Sequence, residues 1–350
     1  MTAEIILHRW VTQQSHRHQT FRDYVGVLDI EKVGSTSFQS LLRIVRDAMN
    51  GALRSETRGA SGGTEHAPYH FDYIEVRGDI KNAHAFQHEG FSFIAITLPF
   101  VELLFDLSQN LSRSQPIREI LEMDAANQNL DSLLLLLFQL QISFLVSHEY
   151  THHVHQHVAA EAGEEGWNEF AQDATSGGMD RQAQELDADA YAIYHVLGNF
   201  LRGGGRRSAL LQLGRQGLTS QEADALLLSC FFLSLMSLFC ARWPSNMRIA
   251  SAREFTHPPA PLRIEYAIRV AKMWSEQNQS VPEAFFGAKR FQSLFRAAAG
   301  AIGGATPRQW GEHVRFLTSE DGIDYDASLF ERFELLRSGK GLSFEPAVVR

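Results

Sequence analysis

The chain has 350 residues, of which 44% are hydrophobic and 21% are charged. These proportions are typical of a globular protein with a buried core, and they exclude a disordered chain. The net charge of −9 argues against a general affinity for nucleic acid or for anionic lipid.

The first hundred residues are predicted to mix strands and helices. Apolar residues alternate in the strand segments, whereas they recur at helical spacing in the helices. A polar stretch with several glycines predicts a mobile loop, and a proline can open a helix. In chain order the predicted elements are a strand (24–30), a helix (37–53), a mobile loop (55–68), a strand (71–76), an extended segment within 83–97, and a helix from Pro99 through Leu107.

From residue 130 onward the chain is predicted to be largely helical. Glycine and proline clusters and a run of small residues predict where the helices break. The expected breaks are 163–166, 177–178, 203–205 and 258–261, and the small-residue loop is 298–306.

Two uncharged apolar runs, 132–147 and 225–241, have to be weighed as membrane spans. A spanning helix needs about 20 apolar residues, so both runs fit buried core helices at least as well. Cys230 and Cys240 lie in the second run and are predicted to be buried free thiols, which suits a reducing compartment. Because the N-terminus does not resemble a secretory signal, we expect a cytoplasmic protein. An integral protein of the inner or plasma membrane, spanned by 225–241, is the alternative.

The sequence HEYTH at residues 148–152 carries the main chemical signal. On a helix, residues four apart lie on one face, so His148 and His152 can converge on one ion. Neutral imidazole suits zinc, and Glu149 stands where it can act as a base toward a metal-bound water. The alternative is a helix with surface histidines, since three more histidines follow.

A catalytic zinc needs a third protein ligand. The long metzincin motif is excluded, because it requires a glycine and a histidine where this chain has His155 and Val158. His155 itself is discounted, since one straight helix does not easily wrap three ligands round one ion. Glu164 and Glu165 are rival ligands, although the glycines beside them predict an exposed loop.

Glu185 is the favoured third ligand. It lies four residues before Asp189 on a predicted helix. Asp189 can then hydrogen-bond a ligand histidine from behind and fix its tautomer. The alternative is a solvated acidic face of that helix.

Four segments together resemble the M48-type gluzincin peptidases. They are HEYTHHVHQH at 148–157, the E-x-x-A-D pattern at 185–189, T-H-P-P at 256–259 with Arg263-Ile264 after it, and N-A-x-A at 82–85. They occur in the family's order and span about half the chain. The resemblance implies a zincin-like fold with one zinc ion, held by the two histidines and Glu185. The Lit-like phage-exclusion peptidases are a related family that such a chain also resembles.

The resemblance implies further roles around this site. His257 is expected to donate a hydrogen bond to the oxyanion or to position the scissile carbonyl. The alternative is a structural histidine that precedes a proline turn at the entry to a helix. Arg263 is expected to be structural and to pair with Asp189 or Glu265. Residues 82–86 are expected to form either an edge strand that pairs with an extended peptide or an ordinary internal strand. The chain departs from the family at Thr151, where glycine or alanine is usual.

The resulting expectation is an α+β, zincin-like fold, in which a small mixed sheet packs on the active-site helix and a mainly helical half follows. Its predicted regions are an N-terminal α/β region of unknown role (1–80), a peptidase core (81–270) and a helical C-terminal region (271–350). The predicted function is a zinc-dependent endopeptidase with a metal-activated water and Glu149 as general base. Protein or peptide substrates are expected, nucleic acid is not, and the oligomeric state is left open. The alternatives are an integral-membrane M48-type peptidase and a catalytically silent zinc-binding effector.

Overall fold

A computed structural model shows an α+β fold, as predicted. It describes residues 2–59, 68–123, 130–157, 167–168, 178–241, 252–253, 255, 257–303 and 307–339. The helices within these residues are α1 (Ala3–Arg17), α2 (Thr36–Gly59), α3 (Leu98–Arg113), α4 (Gln115–Ile120), α5 (Leu130–Val154), α6 (Gly178–Leu201), α7 (Gly203–Gln212), α8 (Ser220–Ala241), α9 (Ala260–Asn278), α10 (Ala288–Ile302), α11 (Pro307–Leu317) and α12 (Glu320–Gly339). The strands are β1 (Tyr24–Val27), β2 (Tyr69–Val76), β3 (Ala83–His88), β4 (Phe91–Thr97) and β5 (Trp167–Asn168).

The chain divides into two compact units. The first contains residues 1–106 and 142–170, and the second contains residues 107–141 and 171–350. The division falls within α3 and within α5. The three functional regions expected from the sequence are a different division and stay a prediction.

The first unit contains a mixed sheet with the strand order β1-β2-β4-β3-β5. The β2–β4 pair is parallel, and the other pairs are antiparallel. β4 lies in the middle of this order and is buried on both faces, which explains its run of apolar residues. β3 lies between β4 and β5, and β5 pairs with its residues His84 and Ala85. Of the two alternatives for this segment, the internal strand is therefore the one observed.

α1 packs an apolar face against this sheet. Its residues Leu7, Trp10 and Val11 recur at helical spacing and are buried in a cluster with residues of β1 to β4. The ring of Trp10 stacks on the ring of Phe86 with centroids 3.6 Å apart. This packing fixes the N-terminal helix on the sheet of the first unit.

The end of α5 is anchored to the same sheet. The Nε2 atom of His153 lies 2.8 Å from the carbonyl oxygen of Phe93 in β4. The rings of Tyr150 and Tyr69 meet edge to face with centroids 5.0 Å apart. The predicted arrangement of a small mixed sheet packed on the motif-bearing helix is thus observed within the first unit.

The second unit is mainly helical, and α6 packs against α8, α9 and α12 within it. α5 and α8 are both long and apolar enough to cross a membrane by length and composition. However, 94% of the most apolar window of α8 is buried inside the protein, which favours a core helix. Cys230 and Cys240 in α8 are buried free thiols, as predicted.

The predicted mobile loop at 55–68 is wrong at its start. α2 continues through Gly59, because glutamate and arginine are good helix formers even where the pattern is polar. Residues 60–67 lie outside the described part of the chain, as do the predicted break at 163–166 and Gly177.

Two other predicted breaks are displaced. The break predicted at 203–205 is observed at Arg202, between α6 and α7, and the glycines belong to the start of α7. A Cβ at Gly205 would lie 2.0 Å from the carbonyl oxygen of Asn199, so glycine permits a close approach to the end of α6. The small-residue segment from 298 continues α10 to Ile302, since alanine favours helix, and Gly303 ends the helix with φ +61°.

Candidate metal centre

The end of α5, which belongs to the first unit, carries two buried histidines and a buried glutamate. His148, Glu149 and His152 are all fully buried. The histidines share one face of the helix, and their Nε2 atoms are 3.1 Å apart. Two nitrogens bound at about 2.0–2.1 Å to a tetrahedral zinc ion lie roughly 3.3–3.4 Å apart. The histidine pair therefore fits two ligands of one ion.

The backbone after α5 folds His157 back onto His152. The helix ends in a Schellman motif, in which the His157 N–H donates to the His152 carbonyl (2.8 Å) and the Gln156 N–H donates to the His153 carbonyl (3.1 Å). Gln156 adopts the left-handed conformation that the motif requires, with φ +55°. The Nδ1 atoms of His152 and His157 consequently lie 3.0 Å apart. A proton held between them on His152 would leave the lone pair of its Nε2 atom directed toward His148.

Two neighbouring polar side chains have structural partners. Burial lowers the pKa of His153 to about 4, so at neutral pH its uncharged ring donates to the Phe93 carbonyl. The Thr151 hydroxyl donates to the carbonyl of Ser147, one turn earlier, at 2.7 Å. The residue that departs from the M48-type pattern is thus accommodated within the helix itself.

In the second unit, α6 carries three buried polar side chains on one face, at Gln182, Glu185 and Asp189. Glu185 Oε2 lies 3.2 Å from His257 Nε2, and His257 keeps 16% of its side-chain surface exposed whereas Glu185 keeps none. Arg263 donates two hydrogen bonds to Asp189, both at 2.7 Å. The predicted pairing of Arg263 with Asp189 is confirmed.

Gln182 ties the segment before His257 to α6. Its amide nitrogen donates to the carbonyl oxygens of Ala252 (2.8 Å) and Phe255 (2.7 Å). Its amide oxygen accepts a hydrogen bond from the buried hydroxyl of Tyr325 in α12. This network holds the segment before His257 against the face of α6 that carries Glu185.

A sequence model of the Peptidase U49 family matches residues 101–282, which is 182 of the 350 residues. The chain belongs to the Peptidase U49 family. The matched region includes the histidine motif of α5, the acidic residues of α6 and His257. Membership in a peptidase family confirms the broader prediction of a hydrolase acting on peptide bonds, but it does not single out the M48-type resemblance. No curated protein and no solved structure matched the chain.

This Peptidase U49 chain contains buried His, Glu and Asp side chains that could bind a metal ion. Among the described residues, the first unit supplies His148, His152, His155 and His157, and the second unit supplies Glu185 and Asp187. The rival ligands Glu164 and Glu165 lie outside the described residues.

Sequence reasoning missed three side chains that act on these groups in the Peptidase U49 chain. Gln182 lies one turn before Glu185, so its helical spacing could have revealed it. His157 lies five residues after His152, a spacing that meets only after a Schellman turn. Arg337 lies 150 residues after Asp187 in the sequence, although its Nη1 atom is 3.4 Å from Asp187 Oδ1. A local sequence pattern does not predict a contact over that separation.

Proposed function

We propose that this member of the Peptidase U49 family is a zinc-dependent endopeptidase in which His148, His152 and Glu185 bind one zinc ion. The observation that carries the proposal is the buried histidine pair, with Nε2 atoms 3.1 Å apart and the buried Glu149 beside it. Glu185 supports it because two histidines and a carboxylate are a common ligand set of catalytic zinc. Three protein ligands leave a fourth position for water, which structural zinc sites fill with protein.

Different residues of the chain are proposed to carry out different steps of hydrolysis. Zinc, when bound, supplies a Lewis acid that makes water acidic enough to deprotonate near neutral pH. Glu149 takes the proton from the attacking water and passes it to the leaving amine. His257, the more exposed partner of Glu185, donates a hydrogen bond to the carbonyl oxygen of the scissile peptide as negative charge develops there.

Two residues are proposed to orient the ligand histidines. His157 accepts the Nδ1 proton of His152 and so keeps the Nε2 lone pair available. Asp189 is proposed to accept a hydrogen bond from a ligand histidine in addition to the two from Arg263. A carboxylate has about four lone-pair sites, so it can accept all three.

The proposed substrates are proteins or peptides, in keeping with the family. We further propose that the chain acts in the cytoplasm and that α8 is a core helix. Partition into a membrane fraction that persists after alkaline washing would contradict both of these statements.

The test of the function is Glu149→Gln, which keeps the shape of the side chain and removes the base. Cleavage of a library of proteome-derived peptides is compared among wild type, Glu149→Gln and the control Glu119→Gln, whose carboxylate lies on the exposed face of α4. Loss of a positioned base should lower the rate by about 10²–10⁴-fold, with bound zinc unchanged, and the control should cleave like wild type.

Two results would count against the proposal. Retention of most activity in Glu149→Gln would refute the assigned mechanism. A wild-type protein that binds zinc yet cleaves neither the peptide library nor an unfolded protein would favour the catalytically silent zinc-binding effector.

A further inference from the structure

The first unit contains a second candidate site, a cavity of about 630 Å³ at the C-terminal end of α1. Its walls come from the end of α1, the turn that follows it, β1, and Arg77 after β2. All of these residues precede the region matched by the Peptidase U49 family. The cavity shares no lining residue with the proposed zinc site.

Basic side chains dominate the lining of this cavity. Arg17, Arg22 and Arg77 line it together with His16 and His18, and no aspartate or glutamate occurs among the described lining residues. The chain as a whole carries a net charge of −9. A local concentration of cationic groups in an acidic protein creates a field that attracts anions.

The fold holds these groups together. α1 ends at Arg17, and His18 leaves the helix in an extended conformation. A 3-10 turn over Gln19–Phe21 then directs the chain into β1. β1 pairs with β2, and the N–H of Arg77 donates to the carbonyl of Asp23 at 2.7 Å. Arg22, just before β1, and Arg77, just after β2, are thus held at adjoining ends of two paired strands, where like charges repel.

Several of these groups lack a partner among the described residues. The guanidinium groups of Arg22 and Arg77 form no ion pair there, whereas other exposed arginines, such as Arg43 and Arg253, each bind a carboxylate. The buried Nε2 atom of His18 has no hydrogen-bond partner within the described part of the chain. Donors arranged in this way are satisfied by an anion that accepts several hydrogen bonds.

We propose that this cavity binds a small anion that carries more than one phosphate group. Guanidinium groups recognise phosphate oxygens with paired, charge-assisted hydrogen bonds. Three guanidinium groups provide more positive charge than a single carboxylate can balance, and the two imidazoles can add hydrogen-bond donors. The volume lies within the range of small-molecule sites, about 300–1,000 Å³.

Inorganic pyrophosphate is the probe for this site, titrated calorimetrically at constant ionic strength. Wild type is compared with Arg22→Gln and Arg77→Gln, and Arg207→Gln is the matched control because it removes the same charge from the exposed surface of α7. Each cavity substitution should weaken binding by about tenfold or more, since hydrogen bonds to charged groups are strong. The control should bind like wild type. Because both cavity arginines are exposed, their circular dichroism and thermal unfolding should match wild type.

Four outcomes would overturn the inference. One is the absence of pyrophosphate binding to wild type. Another is binding that all three substitutions weaken equally, which would indicate net charge alone. A third is binding that neither cavity substitution changes, which would place pyrophosphate elsewhere, including on a metal ion. Binding of a short oligonucleotide without binding of pyrophosphate would likewise reject a small-anion site.

Discussion

Replacing His157 by alanine removes the side chain behind the proposed ligand His152. The Nδ1 atoms of the two rings are 3.0 Å apart and both rings are buried, so bulk water does not replace the lost partner. Loss of such a partner typically weakens metal binding about 10–100-fold, which is about 1.4–2.7 kcal/mol. An unsatisfied buried donor costs about 1–3 kcal/mol. Because the two estimates agree, we expect the zinc Kd of His157→Ala to rise about 10–100-fold.

The assay is competition for zinc against a chromogenic chelator, with two comparison variants. His157→Gln keeps an amide that can bond the His152 ring, so it should recover much of the affinity. His153→Ala is the matched control: it also removes a buried histidine beside the same ligand, but the partner of that histidine is the Phe93 carbonyl. It should lower the free energy of unfolding more than it lowers zinc affinity.

Equal losses of zinc affinity in His157→Ala and His153→Ala would refute this reasoning, because they would indicate a general disturbance of α5. Unchanged affinity in His157→Ala would equally remove His157 from the metal centre.

Three further outcomes are expected. Arg263→Met removes the ion-pair partner of the buried Asp189 carboxylate and should lower the free energy of unfolding by about 3–5 kcal/mol. Arg269→Met breaks an exposed pair on the same helix and should cost at most about 1 kcal/mol. Equal losses in urea unfolding would contradict this. Burial lowers the pKa of His153 from 6.5 to about 4, so between these pH values the His153 ring is protonated in the unfolded chain but not in the folded one. The free energy of unfolding should therefore fall by up to about 3 kcal/mol as the pH drops from 6.5 to 4. An identical pH dependence of stability in His153→Gln would refute the assignment. Burial raises the pKa of the Cys230 and Cys240 thiols to about 12, so a thiol reagent should modify neither in the native protein and both after denaturation; rapid modification of the native protein would show that α8 is accessible.

Local patterns were sufficient for much of the fold and for part of the site. Alternating apolar residues predicted β2, and helical spacing predicted α2, because each pattern reflects the face that the element buries. The uncharged apolar run at 132–147 indicated the buried helix α5 by its length and composition. The four-residue spacing of His148 and His152 likewise predicted a shared helix face, since that relation depends on helix geometry alone.

Features that depend on tertiary contacts could not be predicted in this way. The meeting of His157 with His152 requires a left-handed Gln156, a conformation that residues other than glycine rarely adopt. The close approach of Gly205 to the carbonyl oxygen of Asn199 at the end of α6 is a tertiary contact of this kind. The contact of Arg337 with Asp187 joins α12 to α6 across 150 residues, and no pattern in the intervening sequence predicts it.

The central claim is that His148, His152 and Glu185 bind one zinc ion. Its most direct test is the zinc content and zinc Kd of purified wild type and of Glu185→Gln, with the exposed Glu276→Gln as control. We expect one zinc per chain in wild type and in the control, and zinc binding at least about tenfold weaker in Glu185→Gln, because even the loss of a side chain that only supports a ligand weakens binding by that much. A wild-type chain without stoichiometric zinc, or a Glu185→Gln chain that binds it as tightly as wild type, would contradict the account.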